Sequence, residues 1–176
     1  LKPSSGNSKL GHNVQIGYFA QNQAEYLDGS KTVLQTMIDS ANETNRSKVR
    51  DVLGSFLFKG DDVEKYVRVL SGGERNRLAL AKLLLQPFNV LVMDEPTSHL
   101  DIKSKSVLKQ ALVKFDGTLI LVSHDRDFLQ NITNKVYEFK SHNIREYLGD
   151  IDFYLNQRKI EDFREIEKKE KVVSIK

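Results

Sequence analysis

The sequence of 176 residues contains no cysteine and no long apolar run. Without cysteine there is no disulfide framework, no thiolate metal site and no cysteine nucleophile, and a reducing, cytoplasmic setting fits. No apolar run approaches the roughly 20 residues that a membrane-spanning helix needs. The opening LKPSSGNSKLG also lacks the apolar core of a secretory signal. We therefore expect a soluble, folded domain without a membrane partner.

A strong charge of one sign is also missing. The formal net charge is +3 and the pI is about 9.0. These values permit contact with nucleic acid but do not indicate a dense basic patch. Hydrophobic residues make up 39% of the chain, which is enough for a core and, at this length, predicts one domain.

The phosphate-binding motif GxxxxGK[ST] is absent as well. The nearest segment, Gly6–Asn13, has both glycines, but His12 and Asn13 stand where the motif needs Lys and Ser or Thr. That segment also precedes a strand-like stretch, whereas a phosphate loop opens a helix. We therefore do not expect it to bind phosphate.

The segment LVMDE at 91–95 combines a predicted strand with two acids. The apolar run is short and β-rich, which predicts a strand buried on both faces of a parallel sheet. Asp94 and Glu95 follow at its carboxyl end, where open α/β sheets bind ligands, and Pro96 ends the strand. The first acid can hold hydrated Mg²⁺ and the second can accept a hydrogen bond from an attacking water. Alternatively, the two acids merely cap the next helix.

LSGGE at 70–74 predicts the start of a helix that runs to Pro87. Free backbone N–H groups and the positive end of the helix dipole favour an anion there, and glycines let it approach closely. The alternative is a plain N-cap turn. Arg75 and Arg77 lie in the first turns, where cations oppose the dipole, which suggests contact with phosphate or RNA or else a solvated face.

Polar residues follow two further strand-like stretches. Gln21 comes after the predicted strand Val14–Ala20, and Ser123-His124-Asp125 follows Thr118–Val122. Neutral imidazole offers a donor and an acceptor at once, so His124 can contact a phosphate and orient water. Taken alone, Gln21 would be an ordinary loop residue and His124 a structural histidine.

Together, LSGGE at 70–74, LVMDE at 91–95, SHLD at 98–101 and SHD at 123–125 resemble the ordered motifs of an ABC-type ATPase domain. The resemblance implies an α/β fold with a P-loop NTPase-like parallel sheet and a short helical subdomain. It also implies ATP and Mg²⁺ as cofactors, and a head-to-tail pair with a second ABC ATPase domain of the same parent chain.

The resemblance further implies roles for individual residues. Glu95, His124 and Gln21 would be catalytic, and Asp94 and Gln21 would bind Mg²⁺. The family signature, LSGGE at 70–74, and the D-loop, SHLD at 98–101, would contact ATP. The residues concerned are Ser71, Gly72, Gly73, Glu74 and Asp101. The signature helix would bind the γ-phosphate of the nucleotide that the opposite domain holds.

We expect the chain to divide at residue 150. Residues 1–150 resemble an incomplete ABC domain with its helical subdomain over 30–86. The domain looks truncated before its Walker A loop, which is the GxxxxGK[ST] motif. Within that subdomain, apolar helical patterns begin at Ser30 and extend over Ser47–Phe58. Lys135–Phe139 and Asn143–Tyr147 predict a hairpin. Residues 151–176 predict a helical extension of mixed charge.

Three sequence segments resemble the ABC-F branch of this family, namely GYFAQ at 17–21, SHDRDFL at 123–129 and LGDIDFYLNQRK at 148–159. This branch comprises soluble proteins with two ATPase domains in one chain that act on ribosomes, in translation or in ribosome protection. The chain looks like the second, carboxyl-terminal domain. One departure is Ser98, where the branch usually has Asn. Serine keeps a short hydrogen-bonding side chain, so we expect function to be retained.

The resemblance implies ribosomal RNA as a partner, and basic residues supply candidate contacts, namely Arg75, Arg77, Arg158 and Lys159. Two other classes of function stay open. An ATPase subunit of an ABC transporter would share the motifs but would need a longer helical subdomain and a groove for a membrane partner. A nucleotide-dependent binding module that does not hydrolyse ATP would fit the missing Walker A lysine.

Overall fold

Three short strands form a parallel sheet in the computed structural model, which describes residues 5–7, 9–20 and 22–160. Contacts divide the chain into two units, Leu1–His124 and Asp125–Lys176. The first unit contains the elements β1 (Ile16–Phe19), α1 (Val33–Ile38), α2 (Val49–Ser55), α3 (Gly72–Leu84), β2 (Val90–Asp94), α4 (Ile102–Val113) and β3 (Thr118–Val122). The mixed α/β class with a parallel sheet is therefore confirmed.

The sheet has the order β1-β2-β3, with Phe19 beside Met93 and Met93 beside Leu121. Both crossovers run in the same direction, and right-handed connections then put their helices on one face. On that face Phe19, Leu91 and Met93 are buried. The carboxyl ends of β2 and β3 meet at one edge, and that edge carries the acids and His124.

The opposite face of the sheet is only partly covered, so the prediction of a strand buried on both faces is wrong for β2. Along β2 buried residues alternate with half-buried ones. On the neighbouring strands Tyr18 is 53% exposed and Ile120 is 50% exposed. The reason is topological, because every connection between these strands leaves its helices on the other side.

Helix α1 begins later than the sequence pattern predicted. Ser30 does not cap a helix, because its N–H and its hydroxyl both donate to Asp28. Thr32 is the N-cap instead, and it forms a reciprocal capping box with Gln35. Similarly, α2 is shorter than the predicted Ser47–Phe58, because Leu57 adopts a positive φ of 68° that ends the helix.

The second unit contains α5 (Arg126–Leu129), the antiparallel hairpin of β4 (Val136–Lys140) and β5 (Asn143–Tyr147), and a helix over 151–160, named α6. Ser141 and His142 form the predicted two-residue turn, both at positive φ. The rest of the predicted extension, 161–176, lies outside the described residues. Across the ranges that the structure describes, no helix combines the length and the apolar character needed to cross a membrane.

Candidate functional site

Glu95 leaves the sheet at a sharp turn. Asp94 is the last residue of β2 and pairs with Val122 of β3. Glu95 follows with a φ of 46°, a conformation that L-residues other than Gly, Asn and Asp rarely adopt. Its backbone N–H still donates to the carbonyl of Val122 at 2.8 Å. The turn at Glu95 therefore sends the side chains of these two consecutive acids in different directions.

The Glu95 side chain meets the end of β3. The backbone N–H of His124 donates to Oε1 of Glu95 at 2.8 Å, and the imidazole Nε2 lies 3.9 Å from the same oxygen. The Glu95 side chain is 22% exposed, whereas the imidazole is fully exposed. The main chain thus orients the carboxylate, while the ring faces solvent.

The acids at this edge suit Mg²⁺ that arrives with a nucleotide. Among the residues that the structure describes, no group of three or more His, Cys, Asp and Glu could hold a metal ion. Mg²⁺ commonly needs only one or two carboxylates, with substrate phosphates and water completing its shell. Asp94 alone meets that requirement. Gln21, the other predicted Mg²⁺ ligand, lies outside the described residues.

The amino end of α3 is built as a capping box. Ser71 is the N-cap, and its hydroxyl accepts from the Glu74 N–H at 3.3 Å. The backbone N–H and the hydroxyl of Ser71 both donate to Oε2 of Glu74 at 2.8 Å. These bonds, first from the backbone and then from the hydroxyl, hold the pKa of Glu74 below its ordinary value.

The space beside the capping box is open at Gly72. A Cβ added at Gly72 would meet no heavy atom within 4 Å. A cleft of about 280 Å³ begins there and is lined by Asn22, Ala24, Glu25, Gly72, Arg75, Asn76 and His99. An anion can therefore approach the exposed backbone of the helix start without displacing a side chain.

Asp101 caps α4 and faces α3. Its carboxylate accepts from the Ser104 N–H at 2.7 Å, a backbone bond that lowers the pKa of Asp101. Nη1 of Arg77 lies 3.5 Å from the same carboxylate and donates to the Ser104 hydroxyl at 3.2 Å. The start of α4 and helix α3 are thus joined through Arg77.

One face of α3 contacts the segment that follows the acids. A Cβ on Gly73 would lie 3.4 Å from the carbonyl oxygen of His99. Nδ2 of Asn76 donates to the Ser98 carbonyl at 2.8 Å. With Arg77, these residues are spaced i, i+3 and i+4, which puts them on one side of a helix.

The two arginines make internal contacts, and their contact with RNA or phosphate stays a prediction. Arg77 is 14% exposed at its side chain, and its guanidinium carbon lies 5.6 Å from the centre of the Phe58 ring. Arg75 donates from Nε to the Leu70 carbonyl at 3.1 Å. The Arg77 side chain therefore packs within the first unit, and the Nε of Arg75 is bonded to the turn before the helix.

Asn76 and Ser104 were not singled out from the sequence, although both lie at the contact between α3 and the following segment. Asn76 is 7% exposed and Ser104 is 1% exposed. A weak signal existed for Asn76, because Asn has poor helix propensity, although its sequence neighbours Arg75 and Arg77 are charged. No comparable signal marks Ser104, since serine is ordinary in the first turn of a helix.

Comparison with known proteins places these motifs in a family. A profile of the family described as ABC transporter matches residues 3–98. The chain is 51% identical over 158 residues to the putative ATP-binding protein YdiF of Bacillus subtilis, covering 90% of this chain and 24% of that protein. It is 44% identical over 180 residues to ABC transporter F family member 5 of Arabidopsis thaliana, covering 99% of this chain and 26% of that protein. The chain spans about a quarter of the length of these relatives.

Solved structures show the same fold at low sequence identity. A dimeric ATP-binding cassette, MJ0796, in a post-hydrolysis state bound to ADP and Pi aligns with a TM-score of 0.62 at 22% identity, covering 77% of this chain and 63% of that chain. RNase-L Inhibitor aligns with a TM-score of 0.64 at 22% identity, covering 84% of this chain and 30% of that one.

Proposed function

The chain belongs to the ABC transporter family, with ABC transporter F family members among its relatives, and from this premise we propose that it forms part of the ATP-hydrolysing unit of an ABC-F protein. The observation that carries the proposal is the pairing of Glu95 with the backbone N–H of His124, beside Asp94 at the same sheet edge. A water-activating carboxylate and a Mg²⁺-binding carboxylate are the acids that phosphoryl transfer needs.

Glu95 is the proposed general base. Its carboxylate accepts a hydrogen bond from the attacking water, and the 2.8 Å bond from His124 N–H fixes its orientation. The exposed imidazole of His124 contacts the γ-phosphate, and Gln21 assists at the water and the metal. Asp94 and Gln21 would hold Mg²⁺, which supplies positive charge against the phosphates when nucleotide is bound.

The signature helix is proposed to serve the nucleotide of a second domain in a head-to-tail pair. Ser71, Gly72 and Gly73 offer a hydroxyl and open backbone N–H groups to that γ-phosphate, and Glu74 shapes this helix start through the capping box. Asp101 contacts the same nucleotide site from the D-loop. The dimeric state of the MJ0796 cassette is consistent with such pairing.

We further propose that another stretch of polypeptide supplies the phosphate loop, because GxxxxGK[ST] does not occur in the 176 residues. In this proposal residues 1–150 are part of an ABC domain, and 151–176 are a helical extension. The 176-residue chain alone should then bind ATP weakly and not hydrolyse it. Steady hydrolysis by the purified chain, abolished by Glu95→Gln, would contradict this division of the site.

The cellular partner is proposed to be the ribosome, by resemblance to the ABC-F branch. The proposed setting is the cytoplasm, and the proposed role is in translation or in ribosome protection. The mild positive charge of +3 is compatible with ribosomal RNA. Recovery of the full-length protein with ribosomes supports the proposal, whereas recovery with membranes supports a transporter subunit.

The decisive experiment is Glu95→Gln in the full-length protein. The amide keeps the shape of the side chain but cannot take a proton, so ATP should be bound and not split. The mutant should accumulate on ribosomes in the presence of ATP. Glu43→Gln is the matched control, because Glu43 is exposed and has no proposed role. Normal turnover by Glu95→Gln would exclude Glu95 as the base.

A further inference from the structure

Asn76 is a buried amide in the second turn of α3. It is 7% exposed, and its Nδ2 donates to the Ser98 carbonyl at 2.8 Å across 22 residues of sequence. Its Oδ1 is buried and has no hydrogen-bond partner among the residues that the structure describes. The bond to Ser98 is therefore the hydrogen bond that this side chain makes within the described residues.

The carbonyl that Asn76 holds belongs to a tight turn that ends on Glu95. The Ser98 N–H donates to the Glu95 carbonyl at 3.1 Å, closing the turn 95–98. His99 follows with a φ of 62°, so the backbone is constrained on both sides of the Ser98 carbonyl. A displacement of Ser98 therefore acts on the backbone of Glu95.

Two neighbouring contacts make the link between α3 and this segment rigid. The close approach of Gly73 to the His99 carbonyl and the bond from Arg77 to the Ser104 hydroxyl lie on the same side of α3. Asn76 lies between them in sequence, and its bond is the one that reaches the turn 95–98.

We propose that Asn76 is a positioning residue for ATP hydrolysis. It ties α3 to the turn 95–98, and this link fixes the position of the phosphate-facing end of α3 relative to the carboxylate of Glu95. This inference rests on the proposed function. Asn76 touches neither water nor nucleotide in this scheme, and it acts only through Ser98 and Glu95.

The test uses Asn76→Leu and Asn76→Ala in the full-length protein. Both remove the donor, but leucine keeps the branched shape of the side chain and alanine does not. We expect kcat to fall about tenfold to a hundredfold in both variants, with KM for ATP changed less than about threefold, because small displacements of a catalytic group have such effects. The Ser98 amide should also exchange its hydrogen about tenfold faster in both variants.

Asn45→Leu is the matched control. Asn45 also donates from Nδ2 to a backbone carbonyl of the α3 region, that of Leu85, at 2.7 Å. It lies 40 residues from its acceptor in sequence, and its other hydrogen bonds within the described residues are to Asn42 and Lys48. Its replacement should lower stability but leave kcat and the exchange of Ser98 unchanged.

Each outcome decides the inference. An unchanged kcat in Asn76→Leu, or a loss confined to Asn76→Ala, would show that Asn76 only fills space and would overturn the proposal while the proposed function stands. Loss of kcat in Asn45→Leu as well would reduce the effect to general destabilisation. Absence of ATP turnover in the unmodified full-length protein, or normal turnover in Glu95→Gln, would overturn the proposed function and this inference with it.

Discussion

The backbone N–H of His124 donates to Oε1 of Glu95 at 2.8 Å, so the main chain at the end of β3 holds the carboxylate at the end of β2. The imidazole Nε2 is 3.9 Å from the same oxygen and makes no hydrogen bond at that distance. The two functions assigned to this position are therefore separable. The backbone orients Glu95, and the ring is available to a ligand.

This separation predicts the behaviour of His124→Ala. The backbone bond to Glu95 survives the substitution, and the imidazole is fully exposed, so the urea midpoint should stay unchanged. ATP turnover by the full-length protein should nevertheless fall about a hundredfold or more, because the ring that is proposed to contact the γ-phosphate is lost. Urea denaturation and steady-state kinetics measure the two effects. A fall in stability equal to that of a core substitution would show that the ring is structural.

A second prediction concerns pH and the capping box. The pKa of Glu74 lies below its ordinary value of 4.5, chiefly through the bond from the Ser71 N–H. A carboxyl with a lowered folded pKa stabilises the protein above about pH 4.5, and this stabilisation is lost as the pH falls through the folded pKa. The start of α3 should therefore loosen in acid.

Glu74→Gln tests this pH dependence. Glutamine also forms a capping box, but it carries no charge to complement the helix dipole, a difference of about 0.5 kcal/mol. Urea midpoints should show the wild type more stable at pH 7, with the difference disappearing as the pH falls below about 4.5 and through the lowered pKa of Glu74. Parallel stability curves for both proteins would contradict the assignment.

Sequence patterns correctly predicted the strands and the position of Asp94 and Glu95 at the carboxyl end of β2, because the formation of a strand depends on local composition. The strand Thr118–Val122 and the hairpin turn at Ser141-His142 were predicted at the positions found. What sequence could not give is the positive φ of Glu95 and the bond between Asn76 and Ser98. Both depend on residues far apart in sequence, since Val122 fixes the backbone of Glu95 and α3 reaches the D-loop only in the folded chain.

Arg77 and Asp101 should contribute very differently to stability. Arg77→Met removes one of two hydrogen bonds of the Ser104 hydroxyl, which is almost fully buried and also bonds to the Asp101 carboxylate. The loss should be about 1–3 kcal/mol. Asp101→Asn should be nearly neutral, because the Asp101 side chain is 62% exposed in its 3.5 Å ion pair and asparagine still caps α4.

Urea denaturation of both variants separates the two contributions. Asp101→Ala serves as the control for the cap and should cost about 1 kcal/mol. If Asp101→Asn cost as much as Arg77→Met, the ion pair and not the buried hydrogen bond would hold α3 to α4.

In the second unit, Arg158 is engaged with a carboxylate and so fits the predicted RNA contact poorly. Glu138, whose side chain is 14% exposed, accepts from the Arg158 Nε at 3.2 Å. It also accepts from the hydroxyls of Tyr147 and Tyr154 at 3.2 and 3.0 Å. Arg158→Gln should therefore destabilise this unit by about 1–3 kcal/mol. A double variant that neutralises Arg158 and Lys159 would therefore combine a loss of stability with any loss of RNA binding.

Lys159 alone is the cleaner probe of the proposed ribosomal partner. It is exposed on α6, so Lys159→Gln should leave the urea midpoint and the ATP turnover of the ribosome-free protein unchanged. If its ammonium meets an rRNA phosphate, the log–log slope of ribosome affinity against salt should fall by up to about one. Lys114→Gln, an exposed lysine on the other unit, is the control and should not alter the slope. An unchanged slope and affinity in Lys159→Gln would assign this face of α6 to solvent.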